Sequence, residues 1–246
     1  MKVFIPHSKN KENFSNIIRI FKRTTGISTT EIVDKIIHID DPKYKKSKLV
    51  ENTDIKYYHT INKFRVFAND KPIMPSGKVV FCCGSFDLLN FAHVSFLQKA
   101  KSEGNYLIVG LYDDITINEL KGHNYPVLDV YSRALNLLAL KFVDDIVLNT
   151  PYKLTPDFIE EFGIDIIVEG KTSYMRCNDP KIDSLELIRG LAKIKQVDSG
   201  VEFGFNDLIT RIKDNQKSYA DAIERKKQKL SNYYKAKKDT KVDELI

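Results

Sequence analysis

Tryptophan is absent from the 246-residue chain, and cysteine and methionine occur three times each. Cys82, Cys83 and Cys177 are too few and too irregularly spaced for a disulfide framework or a zinc site. The thiols are therefore read as reduced, and the protein as cytoplasmic. No apolar run approaches the ~20 residues that a membrane-spanning helix needs. The start, Met1-Lys2-Val3-Phe4-Ile5-Pro6, is too short an apolar stretch for a signal peptide. No Ser/His/Asp constellation stands out, nor paired carboxylates in a motif context. No basic stretch interleaved with aromatics points to nucleic acid.

Hydrophobic residues make up 42% and aromatics 11%, enough for a substantial core. The net charge of +6 is concentrated at residues 43–48 and 226–241, around a nearly balanced body. Solvated linker and tail charge explains it better than an anionic partner does.

Taken in order, 16–21 reads as a short strand. A helix over 31–37 follows, with Ser28 and Glu31 at capping-box spacing. Residues 40–54 form a lysine-rich linker. Ile55, Tyr58, Ile61, Phe64 and Phe67 predict a helical face over 55–69. After a proline-containing loop, strands at 79–83, 106–112, 145–148, 164–168 and 194–197 alternate with helices. The helices are placed at 91–101, 130–140, 155–162 and 182–193; that at 130–140 puts Tyr131, Leu135 and Leu138 on one side. Residues 121–126 read as a loop. A long helix over 205–234 carries the narrow stripe Ile212, Tyr219, Ile223, Leu230 and Tyr234, too narrow and polar for a membrane-surface helix. Alternation of this kind predicts an α/β fold, a doubly wound parallel five-stranded sheet with a long C-terminal helix. Gly84, Tyr112 to Asp114 and Gly170 all fall at carboxyl ends of strands, where such sheets bind ligands.

The chain is organised around 79–93, an apolar strand, a glycine turn and a helix. Free N–H groups and the dipole at the helix start favour an anion, and Gly84 admits close backbone approach. His93, one turn into the helix, could donate to the same place. The alternative is a plain turn, with Asn90 as N-cap and a buried histidine.

Gly84-Ser85-Phe86-Asp87-Leu88-Leu89-Asn90-Phe91-Ala92-His93 resembles the G-x-F-D-x-x-H-x-G-H element of the cytidylyltransferases. Lys121-Gly122-His123-Asn124-Tyr125-Pro126 and Asp198-Ser199-Gly200 resemble the ethanolamine-phosphate branch, which carries two tandem domains. The similarity runs from about residue 55 to 225 and fits the second domain. Arg23-Thr24-Thr25-Gly26-Ile27-Ser28-Thr29-Thr30 is similar to the signature that closes the first domain. The resemblance thus implies a Rossmann-like nucleotidyltransferase fold, divided into a first-domain remnant (1–38), a linker and helix (39–77), a second domain (78–212) and a basic helix or tail (213–246). It also implies that the chain lacks most of a first domain, leaving the helix after Ser28 little to pack against.

The implied reaction is attack of phosphoethanolamine on CTP to give CDP-ethanolamine and pyrophosphate, with Mg²⁺ accompanying CTP and no protein-bound metal site. His93 and Lys121 would be the catalytic groups. CTP would lie against Gly84, Ser85, Phe86, Asp87, Asn90, Phe91, Ala92, His93, Lys121, Arg133, Glu169, Gly170, Lys171 and Thr172, and against Ser199, Gly200, Val201, Glu202 and Phe203. The remnant Arg23, Thr24, Gly26, Ile27, Ser28, Thr29 and Thr30 would have cradled a triphosphate in the first domain. Three departures matter: Asn90 replaces a histidine, Ala92 replaces a glycine, and Gly204-Phe205 stands where the closing signature has hydroxyls. They predict a slow or silent domain, partnered by the first domain. A scaffold with a nucleotide site and a basic tail for membrane or protein partners is the alternative.

Overall fold

The sheet holds β1 (His59–Thr60), β2 (Val79–Gly84), β3 (Tyr106–Leu111), β4 (Asp145–Leu148), β5 (Ile166–Gly170) and β6 (Lys193–Val197), in the order β1-β4-β3-β2-β5-β6. The structure is a computed structural model, and it describes residues 28–44, 59–60, 76–171 and 183–243. Strands β2 to β6 pair in parallel throughout, as the doubly wound reading requires. The short β1 pairs antiparallel on β4 and adds an edge that the sequence reading lacks. It replaces part of the helix predicted at 55–69; the rest of that segment, like the strand predicted at 16–21, lies outside the described residues.

Residues of β2 and β3 are buried on both faces, which explains their unbroken apolar runs. Side chains of β2 alternate between two cores, as the period of a strand dictates. Val80 and Cys82 join Leu107, Val109 and Ile146 on one face. Phe81 joins Ile108, Val147 and Ile167 on the other. At Gly110 in β3, a Cβ would stand 2.6 Å from Thr150 Oγ1 and 2.7 Å from Phe81 Cζ, so only glycine fits between them.

Seven helices cover the sheet and its flank among the described residues: α1 (Thr29–Ile37), α2 (Phe91–Lys101), α3 (Asp114–Lys121), α4 (Val130–Leu138), α5 (Pro156–Phe162), α6 (Phe205–Asp214) and α7 (Gln216–Asp243). Short polar residues start most of them. Ser28, Asn90, Asp113, Asp129 and Thr155 each accept a backbone N–H of the first turn. Leu97 and Ala100 of α2, with Ala134 and Leu137 of α4, seal one face. Phe158 and Ile159 of α5 seal the other, with Leu185 and Ile188.

Three local expectations change. The segment predicted as a helix over 182–193 is only a 3-10 turn, Glu186–Ile188, cut short where Gly190 adopts φ 90°. Helix α3 occupies 114–121, where the sequence pattern predicts no element before the loop at 121–126. The long C-terminal helix is broken at Asn215, which caps α6 and lets α7 begin afresh. Tyr131, Leu135 and Leu138 do share one side of α4, but it faces outward, and Val130, Ala134 and Leu137 with Arg133 form the buried side.

Helix α1 has a packing partner in this chain. Val33, Ile36 and Ile39 lie against Phe205, Ile209 and Ile212, with Val127 beside them. Asn124 ties its far end through the carbonyls of Ile39, His38 and Asp41. Full burial of an aliphatic side chain such as Ile36 is worth ~1.5–3 kcal/mol, enough to hold a nine-residue helix that would not persist alone.

Candidate functional site

A cavity of about 460 Å³ opens at the carboxyl end of β2. The chain leaves β2 for β3 and β4 on one side and for β5 and β6 on the other. The cavity thus sits at the point where strand order reverses, the usual ligand crevice of such sheets.

Its floor is the turn after Gly84. Phe86 has φ 45° and Leu88 φ 48°, so the backbone doubles back in the left-handed region at two residues of the turn. Phe86 folds its ring over Gly84, where a Cβ would meet Cε2 at 3.2 Å. Asp87 is buried, and its two oxygens accept the Val127 and Leu128 amides at 2.7 and 3.0 Å. Burial raises its pKa, opposed by those two hydrogen bonds and by the charges of Arg133 and Lys121. Asp87 therefore clamps the 121–128 loop to the turn; both oxygens are already engaged.

Asn90 and His93 reconcile the two readings of the turn. The Asn90 side-chain oxygen caps α2 by accepting the Ala92 and His93 amides at 3.0 and 3.3 Å. The Asn90 backbone N–H donates to His93 Nδ1 at 3.2 Å. An acceptor at Nδ1 carries no proton, so the neutral ring holds it on Nε2, as a donor. Burial, reinforced by the Lys121 charge, pushes the His93 pKa down from 6.5 to about 4. The ring also stands edge-on to Phe86, with centroids 5.7 Å apart. Asn90 Nδ2 is buried and finds no acceptor among the described residues.

Lys121, at the end of α3, contributes the ammonium. It lies 5.3 Å from the centre of the Tyr125 ring and 4.9 Å from that of Phe205. Burial lowers its pKa, the Asp87 charge raises it, and Arg133 lowers it again. The far wall comes from Gly170 and Lys171 at the end of β5 and from Val197 to Phe205, running on from the end of β6. Ser95 Oγ on α2 donates to the Ser199 carbonyl at 2.6 Å, and Lys99 Nζ donates to it at 3.1 Å. These bonds pull the 198–201 turn onto α2. Lys171 pairs with Asp198 at 3.4 Å. Gly204 begins α6 with no side-chain cap.

The residues expected at the site thus divide. Gly84, Ser85, Phe86, Asp87, Asn90, Ala92, His93, Lys121, Gly170, Lys171, and Ser199 to Phe203 all line one cavity. Phe91 does not: its side chain is 71% exposed, away from the lining. Arg133 does not either. It is fully buried, donating to the carbonyls of Leu128 (3.1 Å), Ser85 (2.7 Å) and Tyr112 (2.9 Å) and to Asp114 Oδ1 (2.8 Å). Four of its five N–H donors are consumed in knitting β2, β3 and α4 together behind the cavity. Glu169 also lies off the lining, while Thr172 and Arg23 to Ile27 lie outside the described residues. Ser28, Thr29 and Thr30 begin α1 and stand off the cavity lining.

Sequence reasoning missed Cys83, Phe96, Val197 and Asp198 as wall residues. Cys83 meets the Tyr112 hydroxyl at 3.1 Å, and burial pushes its thiol up to about 11, leaving it unreactive. Their position at strand ends and on the inner side of α2 is the only signal that could have found them.

The model of the cytidylyltransferase-like family matches residues 81–229, more than half of the chain. An ethanolamine-phosphate cytidylyltransferase of Dictyostelium discoideum is 27% identical over 237 residues, covering 89% of this chain and 66% of that protein. A probable ethanolamine-phosphate cytidylyltransferase of Encephalitozoon cuniculi is 35% identical over 212 residues, covering 83% of this chain and 61% of that one. The crystal structure of a lipopolysaccharide core biosynthesis protein from Thermoplasma volcanium is 28% identical, covers 50% of this chain and 96% of that chain, and has a TM-score of 0.39. The chain spans less than two thirds of the length of these curated relatives.

Proposed function

The chain belongs to the cytidylyltransferase-like family, and from that premise we propose that its cavity is a cytidine-nucleotide site of an ethanolamine-phosphate cytidylyltransferase. The whole protein would join CTP and phosphoethanolamine into CDP-ethanolamine and release pyrophosphate. Residues 1–38 would be the end of a first domain, and this site would be the weakly active or silent one of two.

The observation that carries the reading is convergence. The Gly84 turn, His93, Lys121, Gly170 and the 199–203 turn are far apart in sequence, yet they line one cavity at the strand-order switch. In-line transfer needs no covalent intermediate; it needs two anions held in place and donors for the charge that develops. The His93 ring, neutral with its proton on Nε2, supplies a donor. Lys121 supplies a cation from the end of α3. The family's Mg²⁺ would arrive with the nucleotide. Among the described residues no three His, Cys, Asp or Glu side chains cluster to hold a metal.

The same geometry explains why turnover would be slow. The cavity has Asn90 where the family has a cationic-capable histidine, and its buried arginine is spent on carbonyls. Loss of one transition-state donor costs about 10²–10³ in rate. The test is an assay of the purified chain for CDP-ethanolamine formed from CTP and phosphoethanolamine, run beside His93→Ala. Turnover far below that of a full-length relative, with saturable nucleotide binding, is expected. Rapid turnover abolished by His93→Ala would overturn the silent reading, and absence of nucleotide binding would overturn the site.

A further inference from the structure

Resting on the nucleotide site proposed above, we infer that helix α1 is the brace that positions the Lys121 ammonium in the cavity, with Asn124 as the positioning residue that links the two. None of the α1 residues lines the cavity. Helix α3 fixes the backbone of Lys121, its last residue. The end of the side chain is placed by two rings. Nζ lies 5.3 Å from the centre of the Tyr125 ring and 4.9 Å from that of Phe205, both within the ~6 Å at which an aromatic face attracts a cation. The two rings lie beside each other, with centroids 5.9 Å apart. Among the described residues no carboxylate stands at salt-bridge distance to hold Nζ instead.

Both rings depend on α1. Phe205 shares one buried cluster with Val33, Ile36 and Ile39, and Tyr125 packs against that cluster. The loop that carries Tyr125 is also tied to α1 by polar bonds. Asn124 serves the end of α1 as a cap. Its backbone N–H donates to the Ile39 carbonyl at 3.0 Å, and the two hydrogens of Nδ2 go to the carbonyls of His38 and Asp41, each at 2.9 Å. Carbonyls at a helix end have no partner inside the helix, so they need such donors. Val127 is held from both sides. Lys35 Nζ of α1 donates to its carbonyl at 3.3 Å, while its amide donates to Asp87 of the Gly84 turn at 2.7 Å. The 121–128 loop is thus strung between α1 and the cavity floor, and a shift of α1 carries the two rings and the ammonium with it. On the reading that residues 1–38 close a first domain, the last helix of that domain is a working part of the second domain's site.

The experiment is a double-mutant cycle on the full chain. CTP affinity is measured by calorimetry for the native protein, Asn124→Ala, Lys121→Met and the double variant. Asn124→Ala removes both Nδ2 bonds and should weaken CTP about fivefold, the size of one ordinary hydrogen bond. In the Lys121→Met background it should weaken CTP no further, because no ammonium is left to misplace. Lys35→Met, on α1 itself, should act in the same direction, and it takes the place of Asn124→Ala in the cycle if that variant does not fold. A second readout needs no ligand. The hydrogens next to Lys121 Nζ lie over two ring faces and should resonate upfield of other lysines in the spectrum of ¹³C-lysine protein, at a peak missing from Lys121→Arg. Asn124→Ala or Lys35→Met should move that peak towards the other lysines. Equal losses of CTP affinity in both backgrounds, or a Lys121 peak unmoved in both variants, would overturn the inference while leaving the nucleotide site intact. Failure of the native chain to bind CTP would overturn the nucleotide site, and the Lys121 peak alone then decides the positioning.

Discussion

Arg133→Met is the substitution that best separates a residue acting on the fold from one acting on the ligand. The native guanidinium is fully buried and donates to three carbonyls and one carboxylate. Methionine fills similar space but donates nothing. Asp114, with a side chain 21% exposed, loses its partner, and the Ser85, Tyr112 and Leu128 carbonyls each lose a donor. Breaking a buried ion pair from one side costs ~3–5 kcal/mol. At about 2–4 °C per kcal/mol for a chain of this size, the melting temperature should fall by roughly 6–20 °C. Adding Asp114→Asn removes the stranded charge and should recover ~1–2 kcal/mol in a double-mutant cycle. The assay is thermal and urea unfolding of the four proteins, with nucleotide titration well below the transition. A melting temperature unchanged within about 2 °C, together with loss of nucleotide affinity, would show that Arg133 acts on the ligand, and the placement of its donors would then be refuted.

Other outcomes follow from the same contacts. His93 is neutral in the fold down to about 4, whereas the unfolded chain takes up its proton near 6.5. Stability is therefore whole above the unfolded value and declines as pH falls between the two, by ~3 kcal/mol in total. Urea melts should show the native protein losing ~2 kcal/mol more than His93→Gln between neutral pH and about pH 5; equal losses would refute the burial. Gly110→Ala must push Phe81 or Thr150 aside and should cost ~1–3 kcal/mol; an unchanged urea midpoint would contradict the tight packing. Ile36→Ala should cost ~2–5 kcal/mol, seen as faster hydrogen exchange in α1 than in the sheet. Lys121→Met should leave the melting temperature nearly unchanged while weakening nucleotide binding by about tenfold or more; the reverse pattern would make it structural.

The sheet was legible because its central strands are apolar on both faces and separated by capped helices. The runs around Phe81, Ile108 and Ile167 name the parallel core without further help. Helix α3 was hidden by Ile115, Thr116 and Ile117, whose β-branched side chains read against helix, although Asp113 and Gly122 bracket it with ordinary start and stop chemistry, in that order. The 182–193 stretch failed for the opposite reason. Its apolar spacing is helical, but Leu185 and Ile188 need only one turn to reach the core, and Gly190 then reverses the chain. On α4, the stripe of large residues is outward, because the inner side must accommodate Arg133 beside the small Ala134. At the site, spacing located the Gly84 turn and His93. It could not tell that Asp87 and Arg133 spend their polar atoms on backbone, since hydrogen-bond partners forty residues away leave no periodic trace. Asn90 was visible as a substitution, but the cap its side chain gives α2, and the His93 tautomer its backbone N–H fixes, required coordinates.

Hydrogen–deuterium exchange with and without a saturating cytidine nucleotide tests the central claim most directly. Protection confined to the Gly84–His93 turn, the end of α3 at Lys121 and the 197–205 wall is the expected result. Protection centred on α7, or none at any of the three segments while the nucleotide is demonstrably bound, would contradict it.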